Sequence, residues 1–413
     1  MKEHRVVVTG LGAVTPIGIG VEEFWEGLKA GKSGISRVTH FDPTDFRSQM
    51  AAEVKGFNPE EWIDRKSLER MDRFTYFGMA SSAMAMKDAG LDNHAFDRYR
   101  AGVIIGSGIG GSATIEEGYD RLREKGPKSL TPFFVSKLLI NMAACMVSIR
   151  YGLKGPLSAP SVACSTGANA IGEAFRILQR GDADIMLAGS SEACVTPLAY
   201  AGFCATRSMS TNTCAEKASR PFDRNRDGFV MGEGAGVVVL ERLEHAVRRN
   251  ANIYAELVGY GNTADAFHFT TPDPQGEGMM RVMSAALKDA SIEPGEVKYI
   301  NAHGTSTPIN DKIESAAIIK VFGSHASVLK VSSIKSMIGH LMAAAGAVEF
   351  IATVMSIHTG ILPPTIHYEE PDPDCPLDYV TKGAEAMDLQ FAVSNSFGFG
   401  GGNACLVVKK YED

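Results

Sequence analysis

The sequence lacks the features that mark several classes of protein. Its seven cysteines are odd in number and widely spaced, with no Cys-x-x-Cys pair, which argues against a disulfide framework and against a zinc site. No run of about twenty apolar residues is present, so we expect no segment to span a membrane. The net charge of −7 disfavours non-specific binding to nucleic acid, which needs a basic surface.

The start of the chain leaves little room for a leader. A strand-like run begins at Arg5, so we expect neither a signal peptide nor a transit peptide. Together with the free thiols this predicts a cytoplasmic protein. A plastid enzyme whose leader had been removed would look the same.

Short apolar runs alternate with amphipathic segments along the 413 residues. The alternation predicts an α/β fold with helices packed on sheets, and the length predicts two packed halves. Helical periodicity is clearest at residues 170–180 and recurs at 278–290 and 343–358. The predicted strands are Val6–Thr9, Val103–Ile105, Ile185–Ala188, Val237–Leu240, Ile253–Val258, Tyr299–Ala302, Val328–Ser333, Phe391–Ser394 and Cys405–Lys409.

Two Gly-rich turns that each feed an apolar strand form an internal echo. Gly232–Arg242 resembles Gly400–Lys410 in this respect, which alone is weak support for two related halves. Charge is dense at 248–252. We therefore predict an N-terminal half at residues 1–250 and a C-terminal half at 251–413.

Cys164 stands where a strand-like stretch meets an amphipathic helix, among small residues. The N–H groups and the positive dipole end of a helix N-terminus favour a thiolate, so we expect a lowered pKa. A thiolate attacks carbonyl carbon. The alternative is a buried, inert cysteine, which is the interpretation we keep for the other six.

His303 leaves an apolar strand into a turn of small residues and hydroxyls, which would project its ring into a cleft. The alternative is a histidine that caps its own turn. Thr305 and Thr307 alternate, so in an extended segment both hydroxyls would point the same way and could bind a ligand.

Lys335 lies just beyond another predicted strand, and His340 lies near the start of an Ala-rich helix. A positive charge nearby favours a neutral imidazole. Glu349, further along that helix, could pair with Lys335. The alternative for Lys335 is a solvated surface lysine.

Phe397 and Phe399 lie in a chain of glycines that extends to Gly402. Such a segment predicts a mobile flap whose N–H groups could complete an oxyanion hole. The alternative is a simple Gly-rich β-turn.

Two other motifs fail on inspection. Asp223–Gly228 opens like a calcium loop, but its twelfth position is Gly234 where the loop needs Glu. Gly10 and Gly12 open like a dinucleotide fingerprint, but Thr15 stands at the third glycine position. We therefore expect neither a metal nor a nicotinamide cofactor.

These motifs together resemble those of the β-ketoacyl-(acyl carrier protein) synthases of type II fatty-acid synthesis, particularly the bacterial synthase II group. The resemblance spans the whole chain. It is carried by Ala163-Cys164-Ser165-Thr166-Gly167, Asn301-Ala302-His303-Gly304-Thr305-Ser306-Thr307, Lys335-Ser336-Met337-Ile338-Gly339-His340, Ser394-Asn395-Ser396-Phe397-Gly398-Phe399-Gly400-Gly401, Arg220-Pro221-Phe222-Asp223-Arg224-Asn225-Arg226-Asp227-Gly228-Phe229 and Met231-Gly232-Glu233-Gly234.

The resemblance implies a thiolase-like αβαβα layered fold of two similar halves, a homodimer, and a Cys-His-His triad. It implies decarboxylative condensation of an acyl group held on Cys164 with malonyl-acyl carrier protein, giving 3-oxoacyl-acyl carrier protein and CO2. Lys335 would tune the field around His303 and His340, and Phe399 would act as gate. No cofactor is implied, because the substrates carry phosphopantetheine. The alternatives are a polyketide-type ketosynthase with the same chemistry, a thiolase, and a non-enzymatic scaffold of this fold.

The sequence departs from the family pattern at two positions. Ile338 stands where Thr is usual, and Gly402 stands where Thr or His is common. These departures leave open the details of gating and pocket shape.

The resemblance also implies further substrate and carrier contacts. Ile109 and Phe134 would line the acyl pocket, with Phe134 reaching across the dimer, and His268 and Thr270 match positions near the pocket mouth. Because carrier proteins are acidic, docking needs local positive charge. The candidate docking residues are Arg65, Lys66 and Arg70 in one cluster and Lys125, Lys128 and Arg207 in another; the alternative is that they form a solvated surface.

Overall fold

A computed structural model describes residues 4–92 and 94–412. The strands in this part of the chain are β1 Val6–Thr15, β2 Gly18–Ile19, β3 Ile35–Arg37, β4 Met50–Ala52, β5 Ala101–Gly106, β6 Leu157–Ser158, β7 Ile185–Glu192, β8 Met231–Gly232, β9 Gly234–Arg242, β10 Ala255–Ala264, β11 Val297–Asn301, β12 Lys330–Ser332, β13 Ile361–Leu362, β14 Asp378–Tyr379, β15 Glu385–Ala386, β16 Phe391–Phe397 and β17 Gly402–Lys409.

The α-helices are α1 Val21–Lys29, α2 Arg65–Leu68, α3 Arg73–Asp88, α4 Ser112–Lys125, α5 Phe134–Leu138, α6 Met142–Tyr151, α7 Thr166–Arg180, α8 Pro197–Ala205, α9 Ala215–Ala218, α10 Leu243–Arg248, α11 Glu277–Ala290, α12 Pro308–Phe322, α13 Lys335–Ile338 and α14 Ala345–Thr359. Short 3-10 helices occur at Pro59–Glu61, Arg98–Arg100, Pro127–Ser129, Pro294–Glu296, Gly323–Ser327, Met342–Ala344 and Phe399–Gly401.

The two halves of the main sheet have the same order of antiparallel and parallel strand pairings. In the first half the order is β1-β9-β7-β5-β6, with two antiparallel pairings followed by two parallel ones. In the second half β10-β17-β16-β11-β12 follows the same sequence of pairings. Antiparallel pairing of β1 with β10 joins the halves into one continuous sheet. The division at residue 250 itself stays a prediction.

Helices fill the space between and outside the two halves of this sheet. The buried helices α7 and α14 pack against each other and against strands of both halves. Helices α3 and α6 cover the outer face of the first half, and α11, which contacts α12, covers that of the second. The result is five layers, as the αβαβα prediction requires. Because both faces of the central strands are covered, these strands are buried along most of their length.

Paired glycines on β1 and β10 explain the failed dinucleotide fingerprint. A Cβ on Gly12 would lie 2.0 Å from the carbonyl oxygen of Ser81 in α3. A Cβ on Gly261 would lie 2.2 Å from that of Val282 in α11. The glycines therefore allow close contact between helix and strand in each half.

Several elements extend beyond their predicted bounds. Strand β1, predicted to end at Thr9, continues to Thr15 because its Gly-rich second half still pairs with β9. Helix α7 begins at Thr166 and not at Ala170. The sequence patterns predicted both elements too short, because tertiary packing stabilises residues that have little local preference for the strand or the helix.

One helix in the described ranges, Met342–Thr359, is long and apolar enough to cross a membrane by length and composition alone. It contains α14, and 89% of its residues are buried inside the protein. The core helix of a folded domain meets the same criterion, so this finding is weak evidence for a membrane span.

Candidate active site

Cys164 lies in a tight turn at the N-terminus of the buried helix α7. Ala163, just before it, has a left-handed φ of 46°, a conformation that surrounding contacts must hold in place. The N–H groups of Ser165 and Thr166 close the turn by donating to the carbonyl oxygens of Val162 and Ala163. The cysteine side chain is only 5% exposed.

His303 and His340 come from the second half of the chain and meet Cys164 at the helix end. His303 follows β11, and His340 follows the short helix α13 beyond the neighbouring parallel strand β12. The sulfur of Cys164 and one ring nitrogen of each histidine lie within 4.8 Å of one another. The two imidazole rings stand 5.4 Å apart between centroids, at 87°.

Lys335 fixes the protonation of His303. Its Nζ lies 3.4 Å from His303 Nδ1 and donates to the His303 carbonyl oxygen at 2.5 Å. It also forms an ion pair with Glu349, and both side chains are 1% exposed. Because an ammonium group has donors only, His303 Nδ1 accepts, and its proton resides on Nε2. The predicted pairing of Lys335 with Glu349 is present. The alternative, that Lys335 is a solvated surface lysine, is wrong.

A backbone amide does the same for His340. The Met342 N–H donates to His340 Nδ1 at 3.2 Å, which leaves the proton on Nε2. Met342 has a left-handed φ of 51°, which is costly for a non-glycine residue. His340 Nε2 is buried and has no hydrogen-bond partner within residues 4–92 and 94–412, so it is available to a substrate.

The electrostatics keep both rings neutral. Burial, the Lys335 charge and His340 hold the pKa of His303 well below its usual range. Burial and Lys335 do the same to the pKa of His340. The three side chains are close enough to share a metal ion, but a metal needs the free lone pair of a ring nitrogen, either Nδ1 or Nε2. With both Nδ1 atoms facing donors, the arrangement supplies N–H donors and opposes metal binding.

The expected lowering of the Cys164 pKa is wrong. Burial raises the pKa of this thiol to about 11, against the opposing effects of the Phe399 N–H, the Lys335 charge and its own N–H. Desolvation therefore outweighs the helix N-terminus in the free protein. Both N–H groups lie close enough to the sulfur to lower its pKa, so they are candidates for an oxyanion hole around the carbonyl oxygen of a thioester attacked there.

The Gly-rich loop that carries Phe399 is held at several points. Gly400 has a φ of 82°, and its N–H donates to the Phe269 carbonyl oxygen at 2.9 Å. The Asp265 N–H donates to Gly401 O at 2.9 Å, and Asp265 Oδ1 accepts from Asn403 Nδ2 at 2.6 Å. The loop is thus a hydrogen-bonded structure that rests on the segment after β10.

The two departures from the family pattern have structural explanations. A Cβ on Gly402 would lie 2.5 Å from Val162 Cγ1, so the valine side chain occupies the space that a larger residue would need. Ile338 is fully buried in the hydrophobic core and does not line the cavity. Its effect is on packing behind the histidines.

A cavity of about 510 Å³ leads from the surface to Cys164, His303 and His340. Thr305 and Thr307 line it, with their hydroxyls 2.9 Å apart, and Thr270 and Phe399 line it as well. The cavity provides a route by which a thioester arm could reach the thiol.

Other predicted substrate residues lie elsewhere. His268 is exposed and is absent from the cavity wall, and its Nδ1 accepts the Thr270 N–H. Ile109 and Phe134 do not line the cavity either. Ile109 packs in an apolar cluster with Phe229 and Met342, which do. Their roles in acyl binding stay predictions.

The predicted docking residues share an exposed position. Arg207 also lines the cavity mouth. The exposed residues are Arg65, Lys66, Arg70, Lys125, Lys128 and Arg207.

Sequence reasoning missed two buried carboxylates. Glu314 accepts the N–H groups of His303 and Gly304 at 2.9 and 2.8 Å, and burial raises its pKa to about 7. Asp311 accepts the N–H groups of Phe222 and Ser306 and faces Arg226 at 3.7 Å. The signal available in the sequence was their i, i+3 spacing on the buried face of α12. Arg226, which lies in the segment that resembles a calcium loop, forms ion pairs with Asp311 and Asp372.

The fold is that of a known class of enzyme. The family model described as the beta-ketoacyl synthase N-terminal domain matches residues 3–246. The model for the C-terminal domain matches residues 254–369. The chain belongs to the β-ketoacyl synthase family of condensing enzymes, which confirms the predicted family, fold and type of reaction.

Relatives of similar length match from end to end. The chain is 52% identical over 411 residues to a 3-oxoacyl-[acyl-carrier-protein] synthase 2 of Staphylococcus aureus (strain COL), covering 100% of this chain and 99% of the relative. It is 50% identical to the protein of the same name from Coxiella burnetii, covering 100% of both.

Solved structures agree. A β-ketoacyl synthase from Burkholderia phymatum is 36% identical with a TM-score of 0.92, covering 100% of both chains. A ketosynthase of a type II polyketide synthase, solved in complex with its acyl-carrier protein, is 38% identical with a TM-score of 0.91, covering 99% of this chain and 100% of that one.

The raised pKa of Cys164 predicts how its reactivity depends on pH. Because the thiolate is the nucleophile and the thiol titrates at about 11, alkylation by iodoacetamide should accelerate continuously from roughly pH 7 to pH 10. The rate is followed by mass spectrometry of the peptide that contains Cys164, with Cys164→Ser as blank. A plateau already at neutral pH would show that the helix N-terminus dominates after all.

Proposed function

We propose that this chain elongates fatty acids by condensing an acyl group held on Cys164 with malonyl-acyl carrier protein. The supporting observation is the buried thiol that lies close to one ring nitrogen of each of two neutral imidazoles. The Nε2 of His340 is buried and has no hydrogen-bond partner within the described residues. A cavity connects this group to the surface. The end-to-end likeness to two 3-oxoacyl-[acyl-carrier-protein] synthases 2 supports the same substrates.

In the first half-reaction Cys164 takes the acyl group. Its sulfur attacks the thioester carbonyl of the acyl carrier, a new C–S bond forms, and the carrier thiol leaves with the proton. The N–H groups of Cys164 and Phe399 would hold the oxyanion, because both lie next to the sulfur and the carbonyl oxygen comes beside the sulfur during the attack. Because the buried thiol is neutral at rest, these two N–H groups stabilise the negative charge that develops on the carbonyl oxygen during the attack.

In the second half-reaction the histidines act on malonyl-carrier protein. Nε2–H of His303 and of His340 would bind its thioester carbonyl oxygen. When the bond to the carboxylate breaks and CO2 leaves, the electron pair forms an enolate that the two donors stabilise. Its carbon attacks the acyl carbon on Cys164, the C–S bond breaks, and 3-oxoacyl-carrier protein is released. Decarboxylation supplies the carbanion, so no strong base is needed.

Lys335 and Glu349 act behind the reacting groups. Lys335 keeps His303 neutral and oriented through Nδ1, and Glu349 balances its charge. Thr305 and Thr307 are placed to bind the pantetheine arm in the cavity. Phe399 would gate entry, because its loop lies directly over the nucleophile turn.

Two alternatives differ in chemistry or substrate. A thiolase needs a second cysteine as base, and among the cavity-lining residues in the described ranges Cys164 is the only cysteine. A polyketide ketosynthase shares the chemistry. Fatty-acid elongation is favoured by 52% identity to a fatty-acid-type synthase against 38% to the polyketide enzyme.

We further propose that an acidic acyl carrier protein docks on two sets of exposed basic residues, one of Arg65, Lys66 and Arg70 and the other of Lys125, Lys128 and Arg207. Arg207 belongs to the cavity mouth, so a carrier bound there could insert its prosthetic arm. A related ketosynthase has been solved with its own carrier protein.

A homodimer is the proposed assembly. Strand β6 ends the sheet with a free edge, and edges of this kind are usually paired or covered. Leu157 on this strand and the nearby Ile149 of α6 are 44% and 71% exposed. A second copy that covers them would remove the edge. Cytoplasmic location and the absence of nucleic-acid and membrane partners stay predictions.

The assignment of the triad predicts separable defects. Cys164→Ser should abolish the acyl-enzyme. His303→Ala and His340→Ala should still acylate but lose condensation by about 10²- to 10³-fold, as when an oxyanion donor is removed. Mass spectrometry of Cys164 and release of CO2 with 3-oxoacyl product are the readouts. Cys214→Ser, at an exposed cysteine, is the matched control. Full condensation by either histidine variant would remove that residue from the mechanism.

Carrier docking predicts an effect that depends on salt. Reversing charge at Arg65→Glu and Lys66→Glu should raise KM for the acyl carrier by about tenfold at low ionic strength, and less at high ionic strength. Lys382→Glu, an exposed lysine of the C-terminal half, controls for net charge. An unchanged KM at low salt would count against this docking surface.

The dimer predicts a change in mass when the β6 edge becomes charged. The native chain should sediment at twice its monomer mass of 44.2 kDa. Ile149→Asp combined with Leu157→Asp should shift it toward monomer, because two charges would be buried without partners. Val328→Asp, at another exposed apolar residue, should not. A native monomer at micromolar concentration would refute the assembly.

A further inference from the structure

The turn that carries Cys164 is tied to strand β10 by one buried amide side chain. Asn169 lies in the first turns of α7 and is fully buried. Its Nδ2 donates to Ser165 O at 3.0 Å and to Ser165 Oγ at 3.1 Å. Its Oδ1 accepts from Tyr260 Oη at 2.5 Å and from Asn262 Nδ2 at 2.8 Å. The hydrogen-bonding capacity of the amide is thus fully used between the turn and the strand.

Ser165 is the residue through which Asn169 acts on the nucleophile. A serine at a helix N-cap normally caps the helix with its hydroxyl. Here Ser165 Oγ donates back to Val162 O at 2.9 Å and makes no capping bond. This bond helps hold the left-handed Ala163 between them. Asn169 therefore supports a strained turn at the residue next to Cys164.

The same strand also supports the second oxyanion donor. Asp265 directly follows β10 and binds the loop of Phe399 through Gly401 and Asn403. Hydrogen bonds therefore connect the segments that carry both N–H groups to β10. Asn169 connects the Cys164 turn, and Asp265 connects the Phe399 loop. A change in either connection would alter the distance between the two donors.

Packing and hydrogen bonds fix the position of the Tyr260 side chain. Its ring lies against α7, where a Cβ on Gly172 would come within 2.3 Å of Tyr260 Cε2. Arg176 of α7 donates to the Tyr260 carbonyl oxygen at 3.1 Å. Asn262 Nδ2 donates to the Tyr260 hydroxyl at 3.0 Å, which orients the hydroxyl proton toward Asn169.

We propose that Tyr260 and Asn262, acting through Asn169, are positioning residues that set the nucleophile turn relative to the Phe399 N–H and so control the rate of acylation. The inference rests on the proposed role of Cys164 as nucleophile. None of the three side chains lines the cavity, so they do not contact the substrate directly.

The test is the pre-steady-state acylation of Cys164 by acyl-carrier protein. Tyr260→Phe removes the hydroxyl and keeps the ring packed on Gly172. It should slow the acylation burst by about tenfold, the effect of one lost hydrogen bond. The burst amplitude and the KM for the carrier should be unchanged. Tyr254→Phe, which removes a hydroxyl bonded to Asp88 at 2.9 Å, should acylate at the native rate.

A double-mutant cycle separates positioning from folding. Asn169→Ala should be at least as slow as Tyr260→Phe, and adding Tyr260→Phe to it should have no further effect, because the path is already broken. A native rate for Tyr260→Phe would overturn the proposal, as would additive effects. A lower amplitude with an unchanged rate constant would mean that the hydroxyl only stabilises the fold. Failure of the native chain to acylate would remove the nucleophile itself, and with it this inference.

Discussion

The active site depends on a lysine held in the protein interior. Lys335 lies between Glu349 and His303 with 1% of its side chain exposed, and burying such a charge is costly unless its partners are well placed. Its position fixes a proton on Nε2 of His303, since an ammonium group cannot accept a hydrogen bond. It also disfavours protonation of both imidazoles. The Lys335 charge and the Met342 amide together leave the two neutral imidazoles with Nε2–H donors near the Cys164 thiol.

The fold brings these groups together because two similar halves contribute different parts. Helix α7 of the first half presents Cys164, and parallel strands β11 and β12 of the second half lead to His303 and His340. The carboxyl ends of parallel strands meet at one edge of a sheet, where sites commonly form. Strand β10 then links the nucleophile turn to the loop of Phe399, so both oxyanion donors rest on one rigid element.

Much of this arrangement could be predicted from local sequence, and the exceptions have identifiable causes. The triad and Lys335 stand in short motifs at strand or helix ends, where backbone geometry restricts their direction. The pKa of Cys164 was mispredicted because a helix N-terminus is visible in sequence whereas burial is not. Glu314 and Asn169 were missed because their partners lie 11 and 91 residues away. Ile109 and Phe134 do not line the cavity of the single chain; Phe134 was predicted to reach across the dimer, whereas Ile109 was predicted to line the acyl pocket directly.

The central claim concerns where two protons reside, and neutron diffraction from crystals of the deuterated protein would observe them directly. The account predicts deuterium on Nε2 of both His303 and His340 and none on either Nδ1, with three deuterons on Lys335 Nζ. Deuterium on Nδ1 of either histidine, or a neutral Lys335, would contradict it, because the site would then present a base or a metal ligand where the mechanism needs a donor.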